Sequence, residues 1–111
     1  MKLVAAIIKP FKLDDVRRAI ADLGLQGVTV TEVLGLGQPP VREFYRSAEY
    51  DVGFAPRTKI EVAVDDAVLE PVLEAIGNVA RTGQKGDGKI FVLDLEQVVR
   101  IRTSEIGAAA I

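Results

Sequence analysis

The sequence predicts an α+β domain in which a single sheet carries two helices on one face. Three observations lead there. Two stretches place apolar residues at helical spacing, four are β-branched or alternate apolar with polar, and glycine or proline marks the boundaries between them. The elements run strand, helix, strand, strand, helix, strand.

Taken in order, Lys2 to Ile8 is apolar on both faces, as expected of a strand covered on both sides, and Pro10 ends it. Leu13, Val16, Ile20 and Leu23 then form one helical stripe. Asp14 and Asp15 fall in the first turn, where the helix dipole favours negative charge, and Gly24 supplies a left-handed stop. Val28 to Leu34 is β-branched and reads as the second strand. From Gly35 to Pro56 no period holds, and that loop of roughly twenty residues is of a length that is usually functional or disordered in a small domain.

Thr58 to Val64 alternates, with Ile60, Val62 and Val64 on one side. Asp65 or Asp66 is the expected cap of a second helix with the stripe Val68, Val72, Ile76 and Val79. Pro71 fits only if that helix starts about one turn after the cap. Arg81 to Gly88 is a second glycine-rich loop, Ile90 to Leu95 a fourth strand, and Val98 to Arg102 a candidate short fifth one. This is a split βαβ order of ferredoxin-like type. Its helices share one face of the sheet, so strands apolar on both sides call for a cover on the other, and oligomerisation is the simplest. With neither repeats nor a linker, residues 1–111 read as one domain.

Composition narrows the function. At 111 residues, 49% hydrophobic and 27% charged, the chain is of ordinary globular make-up. A net charge of −2 gives no footprint for nucleic acid. No apolar run reaches the length of a membrane span, and the opening MKLVAAIIKP stops at Lys9-Pro10 rather than at a small-residue cleavage site, so a cytoplasmic protein is expected. There is no Cys and no His, which removes thiolate chemistry, Cys-based zinc sites and the commonest general base. A non-enzyme is the expectation.

Four patterns carry chemistry. In Gly83-Gln84-Lys85-Gly86-Asp87-Gly88-Lys89 the glycines let backbone N–H groups approach an anion and the lysines add charge; a plain helix-to-strand turn fits the same residues. It is not a Walker A loop, because a strand follows it. Arg100 and Arg102, two apart in an extended segment, would project from one face to grip a polyphosphate, or serve as charges on a solvated edge. Gly35 and Gly37 open the long loop, either for close approach of a base or ribose or as a turn. Tyr45 and Tyr50 lie in a polar stretch, as docking or modification sites or as local packing.

Together these segments resemble the PII nitrogen-regulatory family. The resemblance runs through Ala6-Ile7-Ile8-Lys9-Pro10-Phe11-Lys12-Leu13-Asp14-Asp15-Val16, Val30-Thr31-Glu32-Val33, Tyr45-Arg46-Ser47-Ala48-Glu49-Tyr50, Gly86-Asp87-Gly88-Lys89-Ile90-Phe91-Val92 and Arg100-Ile101-Arg102-Thr103, covering essentially the whole chain. It implies a homotrimer that binds ATP or ADP in clefts between subunits and contacts other proteins through a long T-loop, here about 37–56. An ammonium transporter, a uridylyltransferase, a sensor kinase or a metabolic enzyme would be its type of target. The B-loop would span about 81–89 and the C-terminal segment 96–111. By the same resemblance Gly86, Asp87, Gly88 and Lys89 would hold phosphates, with Arg100 and Arg102 arriving from the next subunit. Thr29, Gly35, Gly37 and Ala63, with Gln38 beside them, would line the adenosine pocket. Tyr50 corresponds to a tyrosine uridylylated in many members.

The departures from the family pattern bear on 2-oxoglutarate more than on nucleotide. The chain looks one residue short between Gly37 and Tyr50, and Pro39 and Pro40 stand where a glutamine and a lysine-glycine pair are usual. Gln38 is the candidate to hold Mg²⁺ and 2-oxoglutarate in that glutamine's place, or else it occupies the basic position before it. Arg57 replaces a lysine that pairs with the 2-oxoglutarate carboxylate, keeping charge but not shape, and Gln84-Lys85 replaces Lys followed by an apolar residue. A PII-like adenylate sensor for carbon or metal uptake, without a 2-oxoglutarate response, is the rival reading. An RNA-binding module on the same fold would need aromatics in Lys59 to Val64, which has none. A small-molecule-binding ACT-like module leaves Gly86–Lys89, Arg100 and Arg102 unexplained, and an acylphosphatase-like enzyme would need an arginine-asparagine phosphate site.

Overall fold

Strand β1 (Lys2–Ile8) lies in the middle of the sheet, because its apolar residues on both faces leave neither side fit for water. The computed structural model describes residues 1–36 and 54–111. The remaining elements are α1 (Leu13–Asp22), β2 (Thr29–Leu36), β3 (Phe54–Val64), α2 (Leu69–Ala80) and β4 (Lys89–Asp94). Sheet order is β2-β3-β1-β4 and every pairing is antiparallel. This is the ferredoxin-like βαββαβ arrangement expected from the order of elements.

Alternation along β3 decides which side is core. Thr58, Ile60, Val62 and Val64 are buried while Arg57, Lys59, Glu61 and Ala63 between them are half-buried. The register Val4↔Val62 and Ala6↔Ile60 carries the same face across β1. Both helices cover it: Val16 and Ile20 of α1 and Val72 and Ile76 of α2 pack with Val4, Ala6, Ile8, Ile60, Val62 and Val64 in one cluster. Among the described residues the other face carries no helix. There Leu3 pairs with Ala63 and Leu93, and Ala5 with Glu61 and Phe91, leaving Phe91 50% and Leu93 49% exposed.

Several expectations are corrected. The helical stripe of α1 ends at Ile20, since Leu23 lies past the last helical residue and is exposed; Gly24 does take the left-handed stop, with φ +81°. Before α2, Asp66–Val68 forms a 3-10 turn, which puts Pro71 in the first turn of α2, where its missing N–H is not needed. Asp65 stands at the capping position without a capping hydrogen bond, and Asp66 instead accepts from the Met1 amine at 2.8 Å. Ala80 is buried at the end of the α2 stripe, where Val79 was expected and is only half-buried.

β2 and β3 also run further into the presumed long loop than the sequence suggested, through Leu36 and from Phe54. Pro56 therefore sits inside β3, opposite Leu34. β1 stops at Ile8 opposite Thr58, so at Pro56 β2 is the one neighbouring strand among the described residues, and a residue without an N–H is tolerated. Residues 37–53, including Gly37, Gln38, Pro39, Pro40, Tyr45 and Tyr50, lie outside the described residues.

The fifth strand does not form. Val99 and Ile106 make an isolated antiparallel bridge around a turn at Ile101–Thr103, closed by Ser104 N–H donating to Arg100 O at 2.8 Å. The inference that Arg100 and Arg102 share a face of an extended segment fails with it. The turn needs a left-handed residue, and Ser104 supplies it with φ +64°.

Candidate functional site

The glycine-rich loop between α2 and β4 is tied together by one carboxylate. Asp87 Oδ2 accepts the N–H groups of Thr82 and Gly83, each at 2.8 Å, and its Oδ1 accepts the Thr82 hydroxyl. That hydroxyl oxygen also accepts the Gln84 N–H at 3.1 Å. Lys9 Nζ closes the cluster, 3.3 Å from Asp87 Oδ1 and donating to Thr82 Oγ1 at 3.3 Å. The hydroxyl and backbone donors of Thr82, followed by the Gly83 N–H and Lys9, hold the Asp87 carboxyl well below the usual carboxylate range, against a smaller opposing effect of desolvation.

Lys9 and Asp87 are far apart in sequence. The register Ile7↔Lys89, continued by two residues, sets them opposite one another. Sequence reading missed Lys9 and Thr82, and no spacing pattern could have found them, since only strand register brings them to the loop.

Two glycines of the loop are fixed by what surrounds them. Gly88 has φ +101°, and a Cβ there would lie 1.7 Å from the Ile7 carbonyl oxygen. Gly86 has φ +89°, and a Cβ there would lie 2.6 Å from Arg57 Nη2. The Arg57 guanidinium thus lies against the loop backbone, while its Cγ comes within 3.3 Å of the corresponding Cβ position of Gly35. Arg57 Nη1 donates to Pro56 O at 2.7 Å. One side chain therefore connects the last residues of β2 with the glycine-rich loop.

The arrangement suits an anion. Arg57, Lys85 and Lys89 supply cations on or around a backbone that glycine leaves open, and Asp87 is already compensated by Lys9 and the loop's own donors. Among the described residues, neither the Lys85 nor the Gly86 N–H donates to a protein oxygen. Also among them, no group of three or more His, Asp or Glu is placed to hold a metal ion.

The other expected residues divide into two sets. Thr29 and Ala63 lie on the helix-free face of the sheet, Thr29 opposite Glu61 and Ala63 opposite Leu3, with Gly35 further along β2 on the same face. Lys89 opens β4 on that face, opposite Ile7. Arg100 and Arg102 stand apart, with no hydrogen bond or ion pair to the glycine-rich loop among the described residues. Arg100 Nη1 pairs with Glu105 Oε1 at 3.0 Å and its Nη2 donates to Ile111 O at 3.2 Å. A flanking carboxylate thus neutralises one of the two neighbouring guanidiniums.

The family model described as "Nitrogen regulatory protein P-II" matches residues 1–105. The chain is 56% identical to nitrogen regulatory protein P-II of Rhizobium meliloti (strain 1021), aligned over 112 residues and covering all of both chains. It is 54% identical over the same span to nitrogen regulatory protein GlnK of Escherichia coli (strain K12) and to nitrogen regulatory protein P-II of Azospirillum brasilense, again covering all of both chains. Fitting 111 residues to 112 aligned positions requires at least one gap in this chain. By fold, by the glycine-rich loop and by sequence along its length, this chain belongs to the PII nitrogen-regulatory family.

Proposed function

We propose that the protein is a non-enzymatic signal transducer that binds ATP or ADP at the Gly83–Lys89 loop and regulates proteins of nitrogen metabolism. The observation that carries the reading is the loop itself. Gly86 and Gly88 hold backbone conformations that side chains disfavour, and the guanidinium of Arg57 lies on the loop backbone. A polyphosphate takes backbone and guanidinium donors of this kind several at once.

Assembly completes the site in this reading. The helix-free face presents Leu3, Ile7, Phe91 and Leu93, apolar area that a second and third copy of the chain would cover. A homotrimer also accounts for Arg100 and Arg102, which would reach the nucleotide of a neighbouring subunit. The relatives' names tie them to nitrogen regulation, and that role is carried over here. Output would pass through residues 37–53, whose ends at Leu36 and Phe54 pair across β2 and β3, with Tyr50 as a modification site and Gln38 as a ligand of Mg²⁺ and 2-oxoglutarate.

Light scattering tests the assembly and should give three times the chain mass of 12.0 kDa. Binding is tested by the double variant Arg100→Ala/Arg102→Ala. Each lost charge-assisted hydrogen bond is worth about 1.5–3 kcal/mol, so each substitution should weaken ATP roughly 10- to 150-fold. A monomer, or a double variant that binds ATP as the unaltered protein does, removes the shared-cleft site.

A further inference from the structure

We infer that Thr82, Asp87 and Lys9 form a latch that sets the nucleotide loop in its ligand-receiving shape before any ligand arrives. The inference rests on the proposed nucleotide site and concerns residues that act through the loop rather than on the nucleotide. Asp87 stands within the glycine motif, where a carboxylate side chain would repel phosphate. Its oxygens instead turn to Thr82 and Gly83 at the beginning of the loop. This draws the two ends of the loop together across five residues, and the chain between them bulges with Gly86 in the left-handed region. The Thr82 hydroxyl donates to Asp87 and accepts from both Gln84 and Lys9.

Lys9 gives the latch its electrostatic logic. An uncompensated carboxylate beside a polyphosphate would oppose binding, and the Lys9 ammonium cancels that charge from β1's end, the strand whose Ile7 carbonyl also forces glycine at position 88. Loop shape and loop charge are therefore both referred to one strand of the core. A loop ordered in advance loses less conformational freedom on binding, so the latch should show in affinity. Thr82, Asp87 and Lys9 are accordingly positioning residues.

The test combines amide hydrogen exchange on ligand-free protein with calorimetric titration of ATP and of inorganic tripolyphosphate. Thr82→Val should speed exchange at Thr82, Gly83 and Gln84, and weaken both ligands about ten-fold. Thr82→Ser, which keeps the hydroxyl, should restore both properties. Lys9→Met should weaken both ligands while leaving the Gln84 amide protected, since the Thr82–Asp87 bonds remain. Circular dichroism of each variant reports whether the sheet is intact, and Lys9→Met serves if Thr82→Val does not fold. Unaltered protein that binds neither nucleotide nor tripolyphosphate overturns the functional reading and this inference with it. Unaltered protein that binds them, with Thr82→Val equal to it in affinity or Thr82→Ser no better than Thr82→Val, overturns the latch alone.

Discussion

Replacing Gly88 with alanine should be far more damaging than the same change at Gly83, although both glycines have positive φ. The backbone contribution is similar at φ +101° and φ +86°, about 1–3 kcal/mol for a side chain held where side chains are disfavoured. The surroundings differ. A Cβ on Gly83 meets nothing within 4 Å among the described residues, whereas one on Gly88 lies 1.7 Å from the Ile7 carbonyl oxygen. That oxygen is backbone of the central strand, next to the Ile7↔Lys89 pair, so it cannot swing away as a side chain would. Relieving the clash means parting β1 from β4 at the start of their ladder, a strain of about 1–3 kcal/mol by comparison with overpacked cores.

Gly88→Ala should then cost about 2–6 kcal/mol in total and Gly83→Ala about 1–3 kcal/mol. At roughly 4–8 °C per kcal/mol for a domain near this size, the first should lower the melting temperature by tens of degrees. Urea unfolding followed by circular dichroism measures the difference, with chain concentration fixed and nucleotide absent so that assembly and ligand do not shift the midpoint. If Gly88→Ala proves no more destabilising than Gly83→Ala, the close approach of the loop to Ile7 is wrong.

Two further predictions concern charge. The folded-state pKa of Asp87 is depressed, so the latch's contribution is fully present above the unfolded value of about 3.9 and is lost as pH falls through the folded one. Exchange protection at Gly83 and Gln84, corrected for intrinsic rates, should therefore be flat from pH 8 to about 5; a loss of protection within that range contradicts the hydrogen-bonded carboxylate. In the proposed site Glu105 would compete with phosphate for Arg100, and both side chains are well exposed. Glu105→Gln should leave stability within about 1 kcal/mol and tighten ATP by up to about five-fold. Weaker ATP binding in that variant would mean that Glu105 positions Arg100 rather than occupying it.

Much of the fold was legible because its patterns are local. Lys2 to Ile8 was read to the residue, since apolar faces on both sides and Pro10 bound it without reference to anything distant. Ile60, Val62 and Val64 alternate in sequence and are buried as that predicts. The errors lie where long-range pairing overrides local signals. Pro56 reads as a breaker, yet β1's short reach leaves it a place in β3. Arg100 and Arg102 look extended, but the Val99↔Ile106 bridge forces a turn between them. Gly86 and Gly88 announced a loop open to an anion, and both proved conformationally required. Thr82 and Lys9 gave no sign, because their part depends on a strand register that no local window contains.

In the proposed function the Gly83–Lys89 loop receives the phosphates of a nucleotide whose identity is then read out by residues 37–53. Calorimetric titration of the unaltered protein with ATP and ADP, each with and without Mg²⁺ and 2-oxoglutarate, tests it most directly. Saturable binding of both nucleotides with one site per chain is expected, and tighter ATP in the presence of Mg²⁺ and 2-oxoglutarate. Nucleotide binding indifferent to 2-oxoglutarate would favour an adenylate sensor on the same fold, and no heat with either nucleotide would contradict the claim.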